Sequence, residues 1–349
     1  MVRAKIIVRL YFILTLLIVS KLSGQDIHFS QFYESPLLLN PACAGATNSD
    51  FRFVVNYKNQ WKSVITPYKT TAIAFDSRVY INKKRKGNFI GYGLTFYNDK
   101  AGLSKLTTNQ VSLDLNYHLF FSRSSSLSAG VKTGLFQRSI NTTELKWDAQ
   151  FDGKNYDASL PTRESAVYQS FMKFDLAAGM LYQYYNRASK FRFELGGSMA
   201  HITKPKNSFY SKDPALNFKY IGHTGMTIKA TDGIFFLPSA LFALQGKHSE
   251  FTAGGNFRFA IGEQTKEKVI LNTFTLISSA IQFGVFYRVK DAVIFTAAMD
   301  YKRNMTFGVS YDVNVSNLTA ASRRRGGLEF SFILRGLSNA KAKGNRNDR

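Results

Sequence analysis

Beyond residue 50, apolar and polar side chains alternate at period two. Val111, Leu113, Leu115, Tyr117 and Leu119 form one side of a run whose other side carries Ser112, Asp114, Asn116 and His118. Met305, Phe307, Val309, Tyr311, Val313 and Val315 alternate in the same way with Thr306, Gly308, Ser310, Asp312 and Asn314. Successive side chains of a strand point to opposite faces, so each run predicts a strand with one apolar and one polar face. Roughly fourteen such segments follow from this rule. They start near Phe51, Tyr68, Phe89, Asn109, Ser125, Phe171, Phe191, Phe218, Ile234, Glu250, Leu276, Ala292, Asn304 and Gly327. Residues 234–244 alternate poorly around Pro238, which predicts a bulge or a strand end there.

The runs are about 9–12 residues long, the length a tilted strand needs to cross a bilayer. Their polar faces hold Arg52, Asp114, Lys132, Asp175, Arg192, Glu194, Arg258, Arg288, Asp300 and Glu329. Such groups do not belong in the core of a soluble sandwich, but a barrel in lipid keeps them in its lumen. Aromatic residues near the strand ends (Tyr57, Tyr80, Phe96, Tyr97, Phe121, Tyr184 and Tyr185) fit interfacial girdles. A sheet in hydrocarbon must close on itself. The expected fold is all-β: an outer-membrane antiparallel β-barrel of about fourteen strands. Long outer loops are expected near 59–67, 98–107, 139–170, 203–217 and 316–326, with 262–273 as an exception on the periplasmic side.

Residues 1–24 read as an export signal, with Arg3, Lys5 and Arg9 ahead of an apolar core too short to span a bilayer. The expected organisation is a signal peptide at 1–24, a plug-like segment at 25–50, the barrel at 51–335 and a basic tail at 336–349. The formal charge is +23 for the whole chain and +19 once the leader is removed. KKRK at 83–86 and RRR at 323–325 read as solvated loops. Export argues against nucleic acid as a partner, leaving anionic lipid or an acidic protein partner to account for the charge. Cys43 is the only cysteine, so no internal disulfide forms. His28, His118, His201, His223 and His248 make no metal-ligand spacing, and no nucleophile with a base and an orienter can be placed. No enzyme activity, cofactor or metal is expected; His118 and His223 read as wet lumen side chains.

Residues 25–46, QDIHFSQFYESPLLLNPACAGA, are aromatic yet too polar for a strand. Asn40 and Pro41 have the chemistry of a helix start, and Gly45 can stop the turn in a left-handed conformation. Phe29, Phe32, Tyr33, Leu37, Leu38 and Leu39 require burial. The segment is therefore expected in or across the periplasmic mouth of the barrel.

This stretch closely resembles the mature start of the PorP/SprF-type membrane proteins of the type IX secretion system. Asp26, Phe29, Ser30, Gln31, Pro36, Leu39, Asn40, Pro41, Ala42 and Gly45 match it. Asn59, Gln60, Trp61 and Pro67 resemble the next landmark. Gly308, Tyr311, Asp312, Ser316, Gly327 and Glu329 resemble the closing hairpin. The resemblance implies an outer-membrane component of the secretion and gliding apparatus that supports export or surface anchoring of a large adhesin-like protein. Its implied partners are a secreted surface protein with a C-terminal sorting domain, other outer-membrane or periplasmic secretion components, and membrane lipid. A plugged uptake channel for a hydrophobic or small solute is the alternative.

Two sites are expected. Loop 139–170 sets Trp147, Phe151 and Tyr156 among Asp148, Asp152 and Asp157, a mixture suited to protein recognition, or else to a lid over the lumen. In the closing hairpin, Asp312 should lie opposite Glu329 or Ser331 on the lumen face. One of Arg52, Arg323, Arg324 and Arg325 is then expected to pair with Asp312 or Glu329.

Overall fold

The structure is a computed structural model. It describes residues 26–336 except 48, 61–65, 82–86, 142–144, 164–168, 187, 210–214, 262–267, 271–272, 276–278, 303, 317–318 and 320–322. The leader, Trp61, the KKRK run and the tail beyond Gly336 lie outside the described residues.

The alternating runs become strands β1 (Phe51–Gln60), β2 (Tyr68–Tyr80), β3 (Phe89–Ala101), β4 (Leu106–Phe120), β5 (Ser125–Ser139), β6 (Ser170–Asn186), β7 (Phe191–Ala200), β8 (Lys219–Thr231), β9 (Ile234–Gln245) and β10 (His248–Ile261). After a small separate hairpin, β11 (Lys268–Ile270) and β12 (Thr273–Thr275), come β13 (Ser279–Arg288), β14 (Ala292–Tyr301), β15 (Met305–Asn314) and β16 (Arg325–Gly336). All except β11 and β12 form one closed antiparallel barrel of fourteen strands, sealed where Phe51 pairs with Gly336 and Gln60 with Gly327. Closure satisfies every strand edge, which is what hydrocarbon demands of a sheet.

Burial is inverted relative to a soluble protein. Leu113 is 58% exposed on the outer face, while its neighbour Asp114 is 2% exposed on the inner face. The barrel has two ends. The terminal end holds the start of β1, the finish of β16 and, as expected for 262–273, the connection from β10 to β13; the opposite end carries the loops 140–169, 201–218 and 315–324.

Several expectations are corrected. The 98–107 loop is only the turn 102–105, because polar residues extend β3 and β4 beyond the apolar band. β9 runs unbroken through Pro238; its ladder to β8 lacks only the pairs at Leu237 and Pro238, where proline has no N–H to donate. The register shift falls instead at Lys229 and Thr231. Tyr185 is buried, and Tyr80 and Tyr97 share the inward parity of Arg78 and Thr95, so these three do not join an outer girdle. Of the RRR run, Arg323 and Arg324 form an exposed turn and Arg325 begins β16.

Fourteen strands about 4.8 Å apart and tilted about 40° close to a backbone diameter of roughly 28 Å. That leaves room for a chain inside, and residues 26–50 occupy it. They form a 3-10 turn at Phe32–Glu34, one α-helical turn at Pro36–Leu39 and a 3-10 turn at Pro41–Cys43. Asn40 caps the last of these by accepting from the Ala42 N–H, and Gly45 adopts φ +69°. The segment does not stop at one mouth. From the terminal end, where the Asp50 N–H bonds the Gly336 carbonyl, it crosses to the long-loop end, where Asp26 meets His201 just beyond β7.

Candidate functional site

The inner segment has little internal structure, so its position is set by the wall. Three polar clusters hold it, each pairing a motif residue with inward side chains of the strands.

The first cluster lies toward the long-loop end. The Ser30 and Gln31 backbone N–H groups donate to the two oxygens of Glu329, at 2.7 and 2.9 Å. The Ser30 hydroxyl donates to Asp312 at 2.8 Å and accepts from Arg288 at 2.8 Å and Lys58 at 3.3 Å. Arg288 also reaches Asp312 at 3.0 Å, and the Ser331 hydroxyl donates to the Gln31 side chain at 3.0 Å. Glu329, Asp312, Lys58 and Arg288 are all buried. Each carboxylate meets charge-assisted or backbone donors, as burial of a charge requires.

Beside it, Asp26 accepts from His201 at 2.7 Å and lies 3.5 Å from Lys219; the other ring nitrogen of His201 meets Asp175 at 2.8 Å. Burial alone would lower the His201 pKa. Its hydrogen bonds to Asp175 and Asp26 outweigh this and raise it to about 9. Burial would likewise raise Asp26, but Lys219 and then His201 hold its carboxyl well below the usual range.

The second cluster seats the Asn40-Pro41-Ala42 turn. Asn40 donates to the Met180 carbonyl at 2.8 Å and sits 3.1 Å from the His223 ring. Asn116 donates to the carbonyls of Ala42 and Ala44 at 2.8 and 2.7 Å, and Ser128 to that of Ala42 at 2.8 Å. The wall is glycine where contact is closest. A Cβ on Gly179 would stand 2.2 Å from the Asn40 side chain, and one on Gly130 would stand 2.9 Å from the Ala42 nitrogen.

In the third cluster the Gly45 N–H donates to Asp76 at 2.8 Å, and Asp76 is held by Arg52 at 2.8 and 3.0 Å. Arg78 donates to the Gly45 carbonyl at 3.0 Å. Between the clusters Tyr33 stacks on Phe286 with Phe32 edge-on to both, and Phe32 and Leu39 separate two cavities. One, with room of about 60 Å³, lies toward the long-loop end against β8–β10; the other, of about 350 Å³, opens at the terminal end.

The expected ion pair exists with different partners. Asp312 and Glu329 do face the lumen, but Arg288 and Lys58 serve Asp312, while backbone N–H groups serve Glu329. Arg52 is taken by Asp76, and Arg323, Arg324 and Arg325 are exposed. Glu329 lies opposite Ser310 and Ser331 opposite Gly308, so neither faces Asp312 across the ladder.

Among the other motif residues, Phe29 is buried and Gly327 pairs with Gln60. Tyr311 faces outward, and Pro67 lies in the β1–β2 loop. His118 is not a wet group: it stacks 4.4 Å from Phe89. Cys43 is buried and free, and burial raises its thiol pKa, so it stays protonated. No group able to hold a metal occurs among the described residues.

Asp76, Asn116, Lys58 and His201 were not identifiable as anchors from the sequence. For the first three the signal, a polar group at an inward strand position, is shared by every lumen residue, and His201 lies just past a strand end.

In the loop 140–169, Gln150 accepts from the Tyr156 hydroxyl at 3.1 Å and donates to the carbonyls of Ala158 and Leu160. Phe151 bridges to Tyr156, and Asp152 caps the tip by accepting from Lys154 and Asn155 N–H groups. This holds Phe151 56% exposed beside half-buried Trp147.

An apolar outer band, a polar lumen and an internal segment bonded to the wall define an outer-membrane β-barrel protein. More narrowly, the chain belongs to the PorP/SprF family of type IX secretion system membrane proteins, whose family model matches residues 21–333. None of the curated proteins matches it. Among solved structures it is similar to a FadL homologue from Pseudomonas aeruginosa, at 8% identity and TM-score 0.46, covering 84% of this chain and 91% of that one. It is also similar to the TodX deltaS2S3 mutant monoaromatic hydrocarbon channel, at 8% identity and TM-score 0.48, covering 85% and 92%. BamA from Haemophilus ducreyi lacking POTRA domains 1–3 follows at 8% identity and TM-score 0.39, covering 82% and 70%.

Proposed function

We propose that this outer-membrane barrel supports export or surface anchoring of a large adhesin-like protein by docking it, and that the lumen is not the conduit. The observation that carries this reading is the segment 26–50, which crosses the lumen and is bonded to the wall along its length. A polypeptide passing through would have to break three buried polar clusters at once, each worth several kcal/mol if left unsatisfied. Docking therefore falls to the ends. The longer loops belong at the cell surface, as in barrels of this kind. There the self-folded tip of loop 140–169 offers Phe151, Tyr156 and Trp147 to a secreted partner, because a rigid aromatic set loses little entropy on binding. The role needs no catalysis and no cofactor, and it extends to gliding where the cargo is a motility adhesin.

The test is deletion of the gene followed by assays of surface adhesin and small-solute uptake. Loss of display with normal uptake is expected; normal display with defective uptake overturns the reading. In the complemented strain, Phe151→Ala with Tyr156→Ala should reduce display while the barrel still inserts.

A further inference from the structure

The cavity at the terminal end is unused by the reading above. It lies between the inner segment and the wall, and Arg52, Arg192, Arg258, Lys302 and Arg335 face Glu34, Glu194 and Asp300 across it. Most of these charges are already matched. Arg192 bonds Glu194 at 2.9 Å, Arg258 bonds Asp300 at 2.8 Å, and Arg52 bonds Asp76. Asp300 also accepts from Gln282 and Thr306, so it has little further capacity.

Two cations remain without an ion pair among the described residues. The Arg335 guanidinium donates to the Thr306 hydroxyl at 2.7 Å, and Lys302 leans on the Tyr301 ring. Among the described residues, Glu34 on the inner segment is the one lining carboxylate with no hydrogen bond or ion pair. Burial raises its pKa above the ordinary range, and the Arg335 charge opposes that rise. The cavity thus presents a guanidinium with unused donors, while Lys302 lines its rim with its ammonium over the outward-facing Tyr301 ring.

We propose that this cavity receives an extended acidic polypeptide segment of a partner protein, whose carboxylates pair with Arg335 and Lys302. Guanidinium donors favour carboxylates in bidentate geometry. Phe32 and Leu39 close its inner end, so a small solute entering there has no way onward. The chain's own tail, which follows β16 at this end, has the wrong sign: Lys341, Lys343, Arg346 and Arg349 outnumber Asp348. The occupant is therefore a segment of another protein that approaches the terminal end.

The test uses the full chain in detergent micelles and a fluorescent, end-capped hexaglutamate peptide, read by anisotropy. Arg335→Gln should weaken binding on the order of tenfold, the loss of one charge-assisted contact. Lys302→Gln, on an exposed turn, should weaken it about threefold, as a rim charge does. Glu34→Gln should tighten it about threefold, because a like charge leaves the site. Arg323→Gln, at the opposite end, should change nothing. Two changes of opposite sign separate docking from damage to the fold, and heat-dependent gel migration confirms that each barrel is closed. Absence of peptide binding, or equal binding by all the variants, overturns the proposal. So does competition by free glutamate at the same molar concentration as the unlabelled peptide, which would make this a small-solute site. Failure here leaves surface display by the long-loop end standing, since that is read from cells.

Discussion

Ser30 and Glu329 show how the inner segment is held. Glu329 is fully buried and accepts two backbone N–H groups. Glu329→Gln removes the charge and turns one acceptor into a donor facing an N–H, a cost of about 2 kcal/mol. Hydrogen exchange at the Ser30 and Gln31 amides should then quicken about thirtyfold, the same energy expressed as an opening equilibrium. His201 provides a pH dependence. Its pKa in the folded protein, about 9, lies above its ordinary 6.5, so the proton is bound more tightly in the folded state. The resulting stability is fully present below about pH 6.5 and is lost as pH rises through about 9. The unfolding temperature in detergent should fall across that window, and His201→Gln should flatten the fall. Gly179→Ala should cost about 1–3 kcal/mol by driving a methyl group into the Asn40 side chain. Gly222→Ala, where nothing lies within 4 Å of the added atom, is the control in the same melting assay.

At the scale of elements, strands and plug follow different physics. Strand positions were legible because each strand meets lipid on one side and polar groups on the other, which forces the period-two pattern. The starts of β1, β2, β3, β5, β7, β9 and β14 fall on the residues read from alternation. The largest discrepancies are Leu106 read as Asn109 and Ser279 read as Leu276; in β4 the strand continues through the polar Thr107 and Thr108 above the apolar band. The inner segment has no such pattern. Its composition demanded burial and its Asn-Pro start demanded a turn, and both are found, but which wall residues receive it depended on a register no local rule supplies. Deleting residues 26–46 should leave a closed barrel that conducts ions in a planar bilayer, with the full chain passing far less current. Equal conductance of the two would show that the segment does not obstruct the lumen.

The whole molecule is a closed cylinder in the outer membrane with an occupied lumen, longer loops at one end and an open cavity at the other. Closure makes unfolding cooperative, so unheated protein should run faster than boiled protein on a detergent gel; identical migration would contradict the sealed β1–β16 pairing. The sequence by itself determined the barrel, its strand count, the burial of residues 25–46 and the family, because these depend on periodicity, composition and short motifs read along the chain. Only the tertiary structure decided that the segment runs from end to end of the lumen. The same is true of the pairing of Asp312 with Arg288 and Lys58 rather than with the arginines of the nearest loop, and of Arg335 and Glu34 having no ion pair among the described residues. Alternation says that a side chain points inward but not at what height or toward which neighbour. Those follow from strand stagger and closure, which bring Ser30 against a carboxylate 299 residues away.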